Sequence, residues 1–288
     1  MTTSGWILLV LLLAGPMATH SQPLEHLNGL DDSHYQLMSS TTLEHDYHIY
    51  VRVPPGTKPS EKLPTVYLLD GGNTFPMLVP YAKYLGFFDE LPPLPPVILV
   101  GIAYGTDDWR QGNRRSTDFT LPAAGQDHYG GAESFHRFLT AELIPWVEKN
   151  HPSDPQQRML FGQSLGGQFA IYCAMFQPTT FAGLIASNPA IHRNTKQFTK
   201  AIEPTQSQPR LFIMQADGDG EVYQQSRDVW LTYWDNKPHH WQLQVKTATG
   251  HTHMSSVPSA FRQGMMWLLS NDKQAQAGQQ DEQDNEPR

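Results

Sequence analysis

A single cysteine, Cys173, stands in the 288 residues, so no intramolecular disulfide can form. It lies in an apolar stretch, which marks it as a buried structural thiol rather than a reactive one. Basic residues are scarce. Lys and Arg number 20 against 28 Asp and Glu, the net charge is −8, and only Arg114-Arg115 stand side by side. Without a Lys/Arg stripe the chain carries no electrostatic footprint for nucleic acid, and a nucleic-acid partner is excluded. A His-Glu-x-x-His pattern and cysteine pairs are missing, which removes the usual zinc-site spacings. No apolar run approaches the roughly 20 residues that cross a bilayer, and no internal repeat is visible.

What apolar run there is lies at the start. Trp6 to Ala14 has signal-peptide length, Gly15-Pro16 breaks it, and the small residues Ala18, Thr19 and Ser21 follow. The preceding residues contain no Lys or Arg. The pattern predicts a signal peptide over 1–22, cleaved near residues 18–22, with a periplasmic or secreted product and no stable membrane insertion afterwards. Residues 23–270 are expected to form one domain. From 271 to 288 Gln, Asp, Glu and Asn prevail without apolar spacing, which predicts a disordered polar tail.

Between these ends the chain alternates. Tyr47, Ile49, Val51 and Val53 are interleaved with His48, Tyr50 and Arg52, the period-two signature of a half-buried strand, and Tyr35–Ser39 can pair with it as an antiparallel edge. Continuous apolar runs follow at Thr65–Leu69, Val97–Ile102, Met159–Phe161, Phe181–Ala186 and Leu211–Ala216, and Trp241, Leu243 and Val245 alternate once more. Helical spacing is visible over Ala132–Asn150, Gly167–Phe176 and Phe261–Leu269. Buried strands alternating with helices predict an α/β fold: a mostly parallel twisted sheet, antiparallel N-terminal edge strands, and helices on both faces.

The chemistry concentrates at Gly162-Gln163-Ser164-Leu165-Gly166. Gly-x-Ser-x-Gly alone is a weak pattern, but here it joins an apolar strand to an apolar helix. A serine on such a turn projects its hydroxyl above the sheet edge, and the helix N-terminus offers unpaired N–H groups to a developing oxyanion. Ser164 is therefore the expected nucleophile. A hydroxyl needs a base and a carboxylate to orient that base. After the strand Leu211–Ala216 come Asp217, Asp219 and Glu221, interleaved with Gly218 and Gly220; their spacing does not fit an EF-hand. Further on, His251 and His253 both qualify as the base. One oxyanion donor is expected at the N–H of Leu165. The other belongs to the loop Asp70-Gly71-Gly72-Asn73, where adjacent glycines let the backbone approach a carbonyl. Hydrolysis of this kind needs no cofactor and no metal.

Several segments together resemble the esterase D / enterobactin-esterase-like family of α/β-hydrolases. They are Val-Tyr-Leu-Leu-Asp-Gly-Gly (66–72), Val-Gly-Ile-Ala-Tyr-Gly (100–105), Arg-Arg-Ser-Thr-Asp-Phe-Thr (114–120), the stretch 134–145, Gly-Gln-Ser-Leu-Gly-Gly (162–167) and Thr-His-Met-Ser-Ser-Val-Pro (252–258). The resemblance covers about residues 45–269. It implies a serine carboxylic-ester hydrolase working through an acyl-enzyme, with His253 as base, Asp219 as acid (Glu221 the runner-up) and Gly72 as second oxyanion donor. Two positions depart from the pattern: Gln163 stands where His is frequent, and Asn188-Pro189 where Ser-Pro is common. Some siderophore esterases of this group work with a Ser–His dyad, which leaves the acid's weight open. The implied partner is a small-molecule ester: a siderophore lactone, an acylated sugar or a short-chain ester. An acyltransferase would share every one of these residues, and a binding-only protein would share the fold; oligomeric state is left undetermined. The segment 104–129 is expected to border the pocket, with Trp109, Arg114 and Arg115 as substrate contacts, unless one arginine braces the loop through Asp118.

Overall fold

The computed structural model of the chain describes residues 27, 29–87, 93–203 and 205–270. The expected leader (1–22) and tail (271–288) lie outside the described residues.

Eight strands form one sheet in the order β1-β2-β4-β3-β5-β6-β7-β8. They are β1 (Ser33–Ser40), β2 (His45–Arg52), β3 (Leu63–Leu68), β4 (Ile98–Ala103), β5 (Ser153–Gln163), β6 (Gly183–Ser187), β7 (Arg210–Gly218) and β8 (Gln242–Thr252). The two N-terminal strands run antiparallel to each other, and β2 runs antiparallel to β4. All remaining pairs are parallel. The burial of β2 follows its sequence: Tyr47, Ile49 and Val51 are buried while His48, Tyr50 and Arg52 are not. Strands β4 and β6 are buried at every position, as continuous apolar runs require when helices cover both faces.

Two apolar layers result. On one face α1 (Gly71–Tyr84) and α8 (Val257–Leu269) pack Phe75, Leu78, Val79, Phe261 and Met265 against Val66, Leu68 and Phe212. On the other, α3 (Ala132–Phe138), α4 (Ile144–Asn150), α5 (Leu165–Phe176) and α7 (Glu221–Asp235) bring Phe135, Val147, Phe169 and Trp230 against Tyr67, Val100 and Leu160. Two short helices, α2 (Arg115–Asp118) and α6 (Thr195–Phe198), lie in the connections. Cys173 is buried in α5, and burial pushes its thiol well above the ordinary range, as an inert structural residue requires.

The helical stretch 132–150 is one rod with a π turn at Leu139–Leu143, just before Pro145, which has no N–H to continue the ladder. At the N-terminal end of the sheet's first crossover the structure corrects the sequence reading. Gly71, Gly72 and Asn73 are the first turn of α1, not a loop, despite two glycines and the internal Pro76 and Pro80. Apolar burial of Phe75, Leu78 and Val79 outweighs the poor helix propensity of those residues.

Candidate active site

Ser164 joins β5 to α5 with φ 59° and ψ −114°, a conformation that L-residues other than glycine rarely hold. The turn closes because Gly162 has no side chain: a Cβ there would run into the carbonyl of Gly166. At Gly167 a Cβ would come within 3.0 Å of the Ser187 carbonyl. The backbone of Ser164 is held on both sides. Its N–H donates to Ser187 O (2.9 Å), and its carbonyl accepts from Ala190 N (3.0 Å) and Gln168 N (3.0 Å). The serine lines a cleft of about 330 Å³ together with Asp70, Asn73, Arg115, Gln163 and Met254. Leu165, the first residue of α5, directs its N–H out of the helix start.

Of the three carboxylates after β7, the structure turns one inward. Asp219 is buried, and its Oδ1 accepts from His253 Nδ1 (2.8 Å) and from the Gly220 N–H (2.8 Å). Its Oδ2 accepts from Nη1 of the buried Arg227 (2.5 Å). Because a carboxylate can only accept, Nδ1 of His253 carries the proton and Nε2 is left free to act as acceptor. Tyr223 stacks on the His253 ring at 4.8 Å. Asp217 lies within β7 and accepts the Gly250 N–H with both oxygens (2.9 and 3.0 Å), and Glu221 sits exposed in the first turn of α7, accepting from Gln225 (2.7 Å). His251 has Nδ1 3.0 Å from the Ser255 carbonyl. Thus His253 and Asp219 are brought together, while His251, Asp217 and Glu221 are committed elsewhere.

Opposite the serine, Asp70 starts α1 in the left-handed region (φ 54°, ψ 42°). Its carbonyl accepts from Asn73 N and Thr74 N, which leaves the N–H groups of Gly71 and Gly72 without a partner inside the helix. A Cβ on Gly71 would collide with the backbone of Ile102, so only glycine allows α1 to begin against β4. Gly72 lines a second compartment of about 240 Å³ that shares Asp70, Asn73, Asp107 and Asn113 with the cleft of Ser164. Arg115 grips Asp70 with two bonds (2.8 and 3.0 Å) and also faces that cleft. Arg114 instead reaches Asp118 at 3.5 Å, bracing the loop, beside the hydroxyls of Tyr47 and Tyr104 that donate to the same carboxylate. Burial raises the Asp118 carboxyl against the opposing effect of these donors. Trp109 begins a short 3-10 turn, Trp109–Gln111.

Three neighbours escaped the sequence reading: Arg227 on Asp219, and Gln163 and Asn188 on the main chain of His253. The last two were visible only as departures from a pattern. Arg227 lies in a polar stretch that reads as solvated.

The family model described as "Putative esterase" matches residues 40–270. The chain belongs to this Esterase family. Among curated proteins it is 31% identical to the ferri-bacillibactin esterase BesA of Bacillus subtilis over 209 residues, covering 67% of this chain and 72% of that one. It is 25% identical to an apo-salmochelin esterase of Escherichia coli, covering 56% of this chain and 52% of that one. Among solved structures, the BES protein from Bacillus cereus superposes with a TM-score of 0.71 at 23% identity, over 83% of this chain and 97% of that one. The enterobactin and salmochelin hydrolase IroE gives 0.63 at 23% identity, over 83% and 95%. These structures share the α/β-hydrolase fold. Family membership and the curated relatives make this Esterase-family protein a carboxylic ester hydrolase.

Proposed function

We propose that the protein hydrolyses its ester through an acyl-enzyme formed on Ser164. His253 Nε2 takes the hydroxyl proton as Oγ attacks the carbonyl, and Asp219 holds the imidazole in the tautomer that leaves Nε2 free. The N–H groups of Leu165 and Gly72 receive the oxyanion. The imidazolium then protonates the leaving alcohol, and a water activated by His253 releases the acid. The single observation that carries this reading is the 2.8 Å bond between His253 and buried Asp219, on a loop whose His253 carbonyl is held by Gln163, the residue before Ser164.

The substrate class we infer is a siderophore-type lactone or related polar ester. The curated relatives named above carry siderophore names, and the serine's cleft continues into a second polar compartment. The apolar Trp6–Ala14 leader supports export to the periplasm or medium.

Ser164→Ala decides the mechanism. Turnover of p-nitrophenyl acetate should fall by at least about a hundredfold, since the loss of even one oxyanion donor in comparable enzymes is of that order. Labelling by a fluorophosphonate should vanish with it. Retention of most of the activity would exclude Ser164 as nucleophile. Comparing enterobactin, acetylated xylan and p-nitrophenyl esters of increasing length tests the substrate class, and a preference for simple alkyl esters would overturn it.

A further inference from the structure

His253 lies between the end of β8 and the start of α8, and a residue so placed owes its position to whatever holds its main chain. Two side chains do so. Gln163 Nε2 donates to the His253 carbonyl at 2.5 Å, and Asn188 Nδ2 donates to the same oxygen at 2.9 Å. Both donors belong to the segments that fix Ser164. Gln163 precedes the serine directly, and Asn188 follows Ser187, whose carbonyl receives the Ser164 N–H.

Asn188 is built for this place. It is fully buried, adopts φ 41°, and spreads its amide over three elements: Oδ1 accepts from Ala216 N (2.7 Å) at the end of β7, and Nδ2 also reaches Ser256 Oγ (2.6 Å). Asparagine tolerates the left-handed region better than most residues. Gln163 is also buried, and its Oε1 has no partner among the described residues. A buried amide oxygen left unpaired is unfavourable, so the orientation is set by the donor end facing the carbonyl.

Resting on the catalytic reading of Ser164 and His253, we propose that Gln163 and Asn188 are positioning residues: a two-donor clamp on the His253 carbonyl that sets the distance from imidazole to nucleophile. They touch no reacting atom. Their effect is to fix the main chain of His253 against the two segments that carry Ser164, and in such a site small displacements cost large factors in rate.

The test uses the full chain with Gln163→Met, Gln163→His, Asn188→Gly and the double variant Gln163→Met/Asn188→Gly. Gln163→Met removes the donor and keeps the length; kcat and the rate of fluorophosphonate labelling should both drop about tenfold, with KM within about twofold. Gln163→His restores an N–H donor and should recover most of the loss. Because both side chains hold one oxygen, the double variant should lose more than the product of the single losses, whereas independent effects on folding would multiply. Wild-type kcat and labelling in Gln163→Met, a loss confined to KM, or a His variant no better than Met would overturn the clamp. Should Asn188→Gly not fold, the Gln163 pair decides alone. If Ser164→Ala abolishes activity while Gln163→Met does nothing, the clamp fails and the catalytic reading stands; if Ser164→Ala stays active, the catalytic reading itself fails.

Discussion

Arg227 holds the oxygen of Asp219 that His253 does not use, with Nη1 2.5 Å from Oδ2, while the imidazole takes Oδ1 at 2.8 Å. Both members of the ion pair are buried, and Arg227 Nε is further fixed by Gln215 Oε1 (3.1 Å). A buried charge stripped of its partner is costly, so Arg227→Met should destabilise the fold by about 3 kcal/mol or more, read as a lower denaturant midpoint. Asp219→Asn keeps the shape but loses the charge and one of two acceptor oxygens, so His253 Nδ1–H and Arg227 compete for the one that remains; kcat should fall on the order of 10²–10⁴-fold. Asp217→Asn and Glu221→Gln, which alter groups engaged with Gly250 and Gln225, should stay within about twofold of wild type. A fully active Asp219→Asn would mean that the imidazole works without an acid.

The turn at Ser164 holds a non-glycine residue in a strained backbone conformation. Ser164→Gly relieves the positive φ of 59°, and it should be more stable than Ser164→Ala by about 1 kcal/mol, with both inactive. Within the same five residues, two glycines should behave oppositely. Gly162→Ala pushes a methyl into the Gly166 carbonyl and should cost about 3 kcal/mol or prevent folding. Gly166→Ala meets nothing closer than Leu69 at 3.5 Å, and helix propensity favours it; its denaturant midpoint should match wild type or exceed it. Equal loss in both variants would contradict this account of the turn.

How much of this was readable beforehand follows from what each signal measures. Alternation at Tyr47–Val51 and the apolar runs of β3, β4 and β6 report burial directly, so the sheet was legible. Gly-x-Ser-x-Gly between strand and helix placed Ser164 because local geometry alone forces that turn. Helix α1 was not legible: Gly71, Gly72, Pro76 and Pro80 all signal a break, and only packing of Phe75 and Val79 on the sheet overrides them. Among Asp217, Asp219 and Glu221 the residues themselves left the acid open. Only the fold sets them apart: β7 runs through Gly218 and α7 starts at Glu221, so Asp219 is the one carboxylate of the three in the turn, where it meets His253. Gln163, Asn188 and Arg227 act through contacts 90, 65 and 8 residues away in sequence, and no local pattern encodes the two long ones.

Arg115 offers a test between two roles for one guanidinium. It grips Asp70, whose left-handed backbone begins the turn presenting Gly72 N–H, and it also faces the cleft. If its main work is to hold that turn, Arg115→Lys, which loses the bidentate fork, and Asp70→Asn should lower kcat by similar factors of about ten, with KM little changed. If it binds an anionic substrate group, Arg115→Lys should raise KM while Asp70→Asn does not. The bidentate geometry favours the first outcome.

Acid should weaken the fold through four partly buried histidines. Burial is the largest cause of a lowered pKa at His45, His136, His151 and His192, against an ordinary value of 6.5. The unfolded chain then binds protons at a pH where the folded one does not, so stability rises with pH in that range and is lost as pH falls below about 6.5. The limit is about 1.4 kcal/mol per pH unit for each histidine. His136 is the clearest case, since its Nε2 meets Thr180 Oγ1 at 2.8 Å inside the packed edge of α3. His136→Gln can keep a hydrogen bond there but does not titrate. Denaturant unfolding at pH 7.5 and 5.5 should therefore show a smaller stability loss in His136→Gln than in wild type, and identical losses would remove His136 from the acid response.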